Sequence, residues 1–168
     1  MERIASLFER YMFTPETGAM CETFASDWSR HYPARTEPGH CYEWAFLLDA
    51  LRRTTGRDTG SWCRRLVDWS ERHGLRDGLA VDVFEETPET FRLWPQLERV
   101  RALSWLYREG SSAQSAIESV IARYLETGPA FGWVDQLRAD GKPMNEAVPA
   151  SMLYHLMTGL APLAGPSK

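Results

Sequence analysis

The chain has 168 residues, about one domain's worth and enough to bury a sizeable core. Its 43% hydrophobic and 25% charged content is that of a globular chain, and a net charge of −4 with scattered basic residues argues against nucleic acid as a partner. No apolar run approaches the ~20 residues of a membrane span, and MERIASLFER carries charge where a secretion signal needs an apolar segment, so the expected location is the cytoplasm.

Residues 2–12 read as an amphipathic helix with Ile4, Leu7, Phe8 and Tyr11 on one side. TPETG follows as a turn, and residues 19–24 as a short strand. The Pro38-Gly39 break then opens a helix over residues 40–55, anchored by Trp44, Leu47, Leu48 and Leu51. Residues 59–73 form a helix burying Trp62, Leu66 and Trp69. An alternating run over 79–84 and the turn ETPET lead to a helix from Trp94-Pro95 to about residue 109. Residues 112–127 form the next helix, and FGWVDQLRADGKP is a strand-turn piece with Asp140-Gly141 at a hairpin tip. The last helix runs over 149–160.

The second helix of each unit starts near 40, 94 and 149, each beside a proline, with a period of about 54 residues. The chain is therefore one domain of three helical hairpins, about 1–56, 57–110 and 111–168, whose loops gather on one face. Cys21, Cys41 and Cys63 are odd in number and lack CxxC spacing, so neither disulfides nor structural zinc are indicated.

Three short strings at that face carry reactive residue types. His40 and Glu43 lie three apart on a first helical turn, where a capping histidine and a dipole-stabilising glutamate are the plain alternative. LWPQLE places Trp94 and Glu98 four apart with Gln96 nearby, a set able to stack on a sugar ring and bind its hydroxyls. Equally, Trp94 can be core and Glu98 can pair with Arg101. PASMLYHL puts Ser151 and His155 on one face, or His155 half-buried with its hydrogen bonds satisfied.

Taken together, EPGHCYEWAFLL (37–48), LWPQLER (93–99) and PASMLYHL (149–156) resemble the N-acylglucosamine 2-epimerase family, which includes cellobiose 2-epimerases and mannose isomerases. WVDQLRADGKP (133–143) is similar to its mannose isomerase branch. The resemblance implies an all-α fold, an (α/α)6 barrel of which this chain looks like the second half. It implies His40 and His155 as the acid/base pair, Glu43 as the carboxylate beside the first, and Trp94 and Glu98 as cleft-lining residues. Gln96 and Ser151 join them as substrate-binding candidates. The arginine and further histidine of the family's N-terminal half have no counterpart, and Arg30 and Arg35 stand unassigned in the loop before His40.

The implied chemistry is aldose–ketose isomerisation of the mannose/fructose type, through an enediolate formed by histidine proton transfer, with 2-epimerisation as the alternative. No cofactor or metal is required, and a monosaccharide is the expected partner. The absence of a Gly-rich phosphate loop leans toward a free sugar. Half a ring leaves two apolar faces, so the expectation is a truncated or split chain that associates with its own copies or a complementary half-barrel. Little or no activity is expected of it alone, and a non-catalytic subunit is the competing reading.

Overall fold

The computed structural model describes residues 2–31, 35–86, 90–107, 110–128, 132–144 and 147–161. Helix α1 (Glu2–Leu7) runs into a π-helical turn (Phe8–Met12). After an irregular excursion, α2 (Pro38–Thr55) begins on a proline, whose fixed φ suits a first turn. It ends at Gly56, which takes φ 78° and returns its N–H to the Arg52 carbonyl. Helices α3 (Gly60–His73), α4 (Leu93–Tyr107) and α5 (Ser111–Val120) follow, the last continued by a π-helical turn (Ile121–Leu125). Helix α6 (Met152–Leu160) completes the set. Strands β1 (Leu75–Arg76) and β2 (Leu79–Ala80) make a hairpin, while β3 (Thr90–Arg92) pairs antiparallel with β4 (Gln136–Arg138), Phe91 opposite Leu137.

Helices α2, α4 and α6 pack in a consecutive row, with α3 set against α2 and α5 against α4. Because α4 is covered by α2, α5 and α6, every residue from Pro95 to Leu103 is buried, including Glu98, Arg99 and Arg101. Buried charge is tolerable only when paired. Arg99 accordingly grips Glu71 of α3 through Nε at 2.7 Å and Nη2 at 3.0 Å, and Tyr42 of α2 donates its hydroxyl to the same carboxylate at 2.6 Å. At the other end of α2, Asp49 accepts from Arg52, Arg53 and the Trp105 indole, which ties α2 to α4.

Several expectations shift. The first helix buries Ala5 and Phe8, three apart on its inner face, and leaves Ile4 58% exposed. Residues 19–24 form no continuous strand, only bridges at Phe13–Met20 and Phe24–Arg30. In α2 the buried line is Tyr42, Ala45 and Leu48, with Leu47 facing out. The strand in 79–84 ends at Ala80, since Asp82 turns aside to accept from the Arg92 and Thr90 groups. The tip of the β1–β2 hairpin is Asp77-Gly78, at φ 51° and 79°, the double positive φ that an Asp-Gly turn supplies. Gly141, at φ 80°, turns the chain after β4 as expected of Asp140-Gly141. Helix α6 starts at Met152, one turn after Pro149. ETPET falls largely on 87–89, and the end of the fourth helix on 108–109, both outside the described residues. No described helix is long and apolar enough to cross a membrane.

Candidate active site

The N-terminal ends of α2 and α4 meet because Gly39 has no side chain. A Cβ there would lie 2.6 Å from two ring atoms of Trp94. The indole of Trp94 therefore rests on the first turn of α2, where the next residue is His40. The His40 and Trp94 ring centroids are 4.9 Å apart. On the α6 side, the His155 ring is 5.8 Å from the same indole. Two imidazoles from helices 115 positions apart in the sequence thus share one tryptophan, and Arg92 lies over that indole with its guanidinium carbon 5.3 Å from the ring.

Each imidazole is held by a buried or half-buried carboxylate. Nδ1 of His40 is 2.7 Å from Oε2 of Glu22, in the excursion before α2. Nδ1 of His155 is 2.8 Å from Oε1 of Glu98, on α4. An ionised carboxylate only accepts, so Nδ1 carries the hydrogen in each pair and Nε2 is the nitrogen left over. Neither Nε2 has a hydrogen-bond partner among the described residues. The Glu22 hydrogen bond, with the Glu22, Glu37 and Glu43 charges behind it, outweighs burial and raises the proton affinity of His40 above that of an ordinary imidazole.

Glu98 is fully buried, and burial pushes its carboxyl up, against the pull of Arg101 and His155. Arg101 donates to it from within the same helix and lies 4.4 Å from the Phe46 ring. Glu43, on α2, stands 3.8 Å from the same Arg101 nitrogen that meets Glu98. The sequence of contacts His155–Glu98–Arg101–Glu43 therefore runs from α6 through α4 to α2.

The predicted residues separate under this geometry. His40, Trp94 and His155 come together. Glu43 reaches Arg101 rather than either histidine; the carboxylates on the imidazoles are Glu22 and Glu98. Glu98, expected as a substrate ligand, is covered and holds His155 and Arg101. Gln96, also expected to bind substrate, is buried with its amide engaged by backbone: it accepts from Ala80 N–H and donates to the Ala80 and Arg92 carbonyls. It fastens the β1–β2 hairpin to α4. Ser151 is exposed at the start of α6. Of the two unassigned arginines, Arg30 is taken up by the Tyr11 and Phe13 carbonyls and Thr14, and Arg35 pairs with Glu37 and Glu86. Glu22 and Arg92 were not found by motif reading, since neither has a fixed spacing to the residue it serves.

Glu22, Glu37 and His40 have ligand atoms within 4.8 Å of one another, the reach of a divalent cation. Their donors are already engaged: His40 Nδ1 with Glu22, Glu22 Oε1 with the Glu37 N–H at 2.6 Å, and Glu37 with Arg35 and Arg92. A cavity of about 290 Å3 lies at the opposite ends of α2 and α4, lined by Asp49, Arg52, Arg53, Cys63, Arg64 and Tyr107 among others. It is remote from both histidines along the helix axes.

Comparison with known proteins follows the same lines. The family model of N-acylglucosamine 2-epimerase (GlcNAc 2-epimerase) matches residues 1–159. A curated mannose-6-phosphate isomerase of Rhizobium meliloti (strain 1021) is 31% identical over 180 aligned positions, covering 95% of this chain and 46% of that protein. Among solved structures, a sugar epimerase from a ruminal bacterium superposes with a TM-score of 0.81 at 18% identity, covering all of this chain and 49% of its own. A D-mannose isomerase gives 0.71 at 15% identity, covering 98% and 47%. The chain thus spans about half the length of the relatives it matches, and its helical pairs are part of an (α/α)6 barrel. It belongs to the N-acylglucosamine 2-epimerase family.

Proposed function

We propose that His40 and His155 are the acid/base pair of a sugar isomerase, moving a proton between adjacent carbons of an open-chain monosaccharide through an enediolate. The observation that carries this reading is the pair of carboxylate-held imidazoles that both adjoin Trp94. Each has Nε2 available, and imidazole titrates near neutral pH, where both proton abstraction and return are feasible. The Trp94 indole supplies an apolar platform for a sugar face. Arg92, over the same indole, supplies a cation beside it. The names of relatives, mannose-6-phosphate isomerase and D-mannose isomerase, favour aldose–ketose exchange of the mannose/fructose type. A cellobiose 2-epimerase among the structural neighbours keeps 2-epimerisation as the second reading. Neither scheme calls for a cofactor.

The proposal includes association: a second copy of this chain covers the apolar side of α6, where Leu153, Tyr154 and Met157 are exposed, and completes the cleft. The monomer has little turnover of its own. The test is deuterium wash-in at sugar C2 in D2O, with product analysis for fructose and for the C2 epimer, on free and phosphorylated mannose. Exchange is expected to rise with protein concentration and to vanish in His40→Ala and His155→Ala. Exchange that survives both substitutions, or that is absent from the associated protein, overturns the reading.

A further inference from the structure

We infer that Glu22 is the positioning residue of His40: it holds the Nδ1–H and thereby aims Nε2 at the substrate. This deepens the proposal that His40 is an acid/base group and rests on it. Glu22 lies 18 positions before His40, in the excursion that precedes α2, and no motif marks it.

The geometry gives its carboxylate two engagements. Oε2 receives the His40 Nδ1–H at 2.7 Å, and Oε1 receives the Glu37 backbone N–H at 2.6 Å. The second contact sits where a helix cap belongs. Glu37 is the residue before α2, and its own side chain makes no capping hydrogen bond. Thus Glu22 anchors the backbone at the helix entrance and the imidazole one turn in, and the two bonds fix the carboxylate from both ends. His40 is also faced by Glu37 Oε2 at 3.8 Å, by Glu43 on its own helix and by the Trp94 indole of α4. Glu37 is shared with Arg35 and Arg92, and Glu43 with Arg101, so their charges are offset. Glu22 makes no ion pair with lysine or arginine among the described residues. Of the carboxylates around His40, Glu22 alone makes a hydrogen bond to its ring, so it sets the tautomer.

A capping role alone and a positioning role separate in Glu22→Gln. The amide oxygen can still accept the Glu37 N–H, which leaves the NH2 group facing Nδ1. A donor there demands an unprotonated Nδ1 and moves the ring hydrogen to Nε2. Imidazole nitrogen chemical shifts followed against pH read this without any activity measurement. The expected result is a His40 that is Nδ1–H in the natural chain and Nε2–H in Glu22→Gln, with a midpoint that falls toward an ordinary imidazole. His155 should be unmoved. In the associated protein, kcat should drop by about 10²-fold in Glu22→Gln while KM changes little. Because the His40 midpoint falls, the pH limb it controls shifts to lower pH whether His40 acts as base or acid. Glu22→Asp should restore part of the rate. An unchanged tautomer and midpoint in a folded Glu22→Gln overturns the inference. Altered nitrogen shifts in a protein that exchanges no sugar hydrogens would sink the proposed function and leave this pairing intact.

Discussion

Arg101 shows most directly what a single residue does here. Only 1% exposed, it balances Glu98, which in turn orients His155. Replacing Arg101 with Met leaves a covered carboxylate without its counter-charge, and such a loss costs about 3–5 kcal/mol. Urea denaturation of the variant should show that deficit near pH 7. The sign of its pH dependence follows from burial, which raises the Glu98 proton affinity. The folded state then binds a proton more readily than the unfolded one, so the Arg101→Met deficit should shrink as pH falls. The Glu22–His40 pair has the same sign: His40 is raised, so its contribution is complete below pH 6.5 and is lost as pH rises through the folded-state value. In Glu22→Gln that dependence should flatten, which the same denaturation series checks. The Glu98–Arg101 pair was legible in the sequence because residues three apart share a helix face. Glu22–His40 and Glu98–His155 were not, because partners 18 and 57 positions apart are brought together by packing that no local period encodes.

Helix ends were easier to read than helix sides. Pro38 and Gly56 bound α2 through their own backbone preferences, and Gly141 needs only its positive φ. The buried line of α2 was misread because Tyr42, Trp44, Ala45, Phe46, Leu47, Leu48 and Leu51 leave almost no polar side, so periodicity cannot choose between α3 and α4 as partner. Asp77-Gly78 carried a hairpin signal that went unused. At this scale Gly39 decides the site. An added Cβ would meet Trp94 at 2.6 Å and Pro95 at 3.0 Å, so Gly39→Ala should push the indole away from the histidines. Overpacking of this kind costs about 1–3 kcal/mol. Loss of the Trp94 ring-current effect on the His40 and His155 protons, in a protein that still folds, is the expected signature. Gln96→Leu tests the hairpin instead. It strips the Ala80 N–H and carbonyl of their partners, at about 1–3 kcal/mol, with unprotected Ala80 amide exchange as the readout.

On the scale of the whole molecule, the decisive feature is the outer side of α6. The helix has nine residues, and three large apolar ones face out: Leu153, Tyr154 and Met157, at 51, 54 and 72% exposed. Its other side is held by α4, where Gly159 approaches the Leu97 backbone so closely that a Cβ would lie 3.0 Å from the carbonyl oxygen. A helix fixed on one side and apolar on the other presents a face that a further layer can cover. The order of the three sequence blocks made the half ring legible, but not which side chains of the last helix it would leave uncovered. The second copy proposed above would bring three more helical pairs, the number that six-pair closure requires. Sedimentation of the chain should therefore show dimers that dissociate on dilution. Leu153→Asp combined with Met157→Asp should hold it monomeric with an unchanged helical circular dichroism spectrum, since neither side chain is in the core. The same variant should lose the concentration-dependent sugar exchange while keeping the His40 titration, because Glu22, His40 and Trp94 lie on other elements. A natural chain that stays monomeric across the micromolar range would show that α6 is not closed by a second copy.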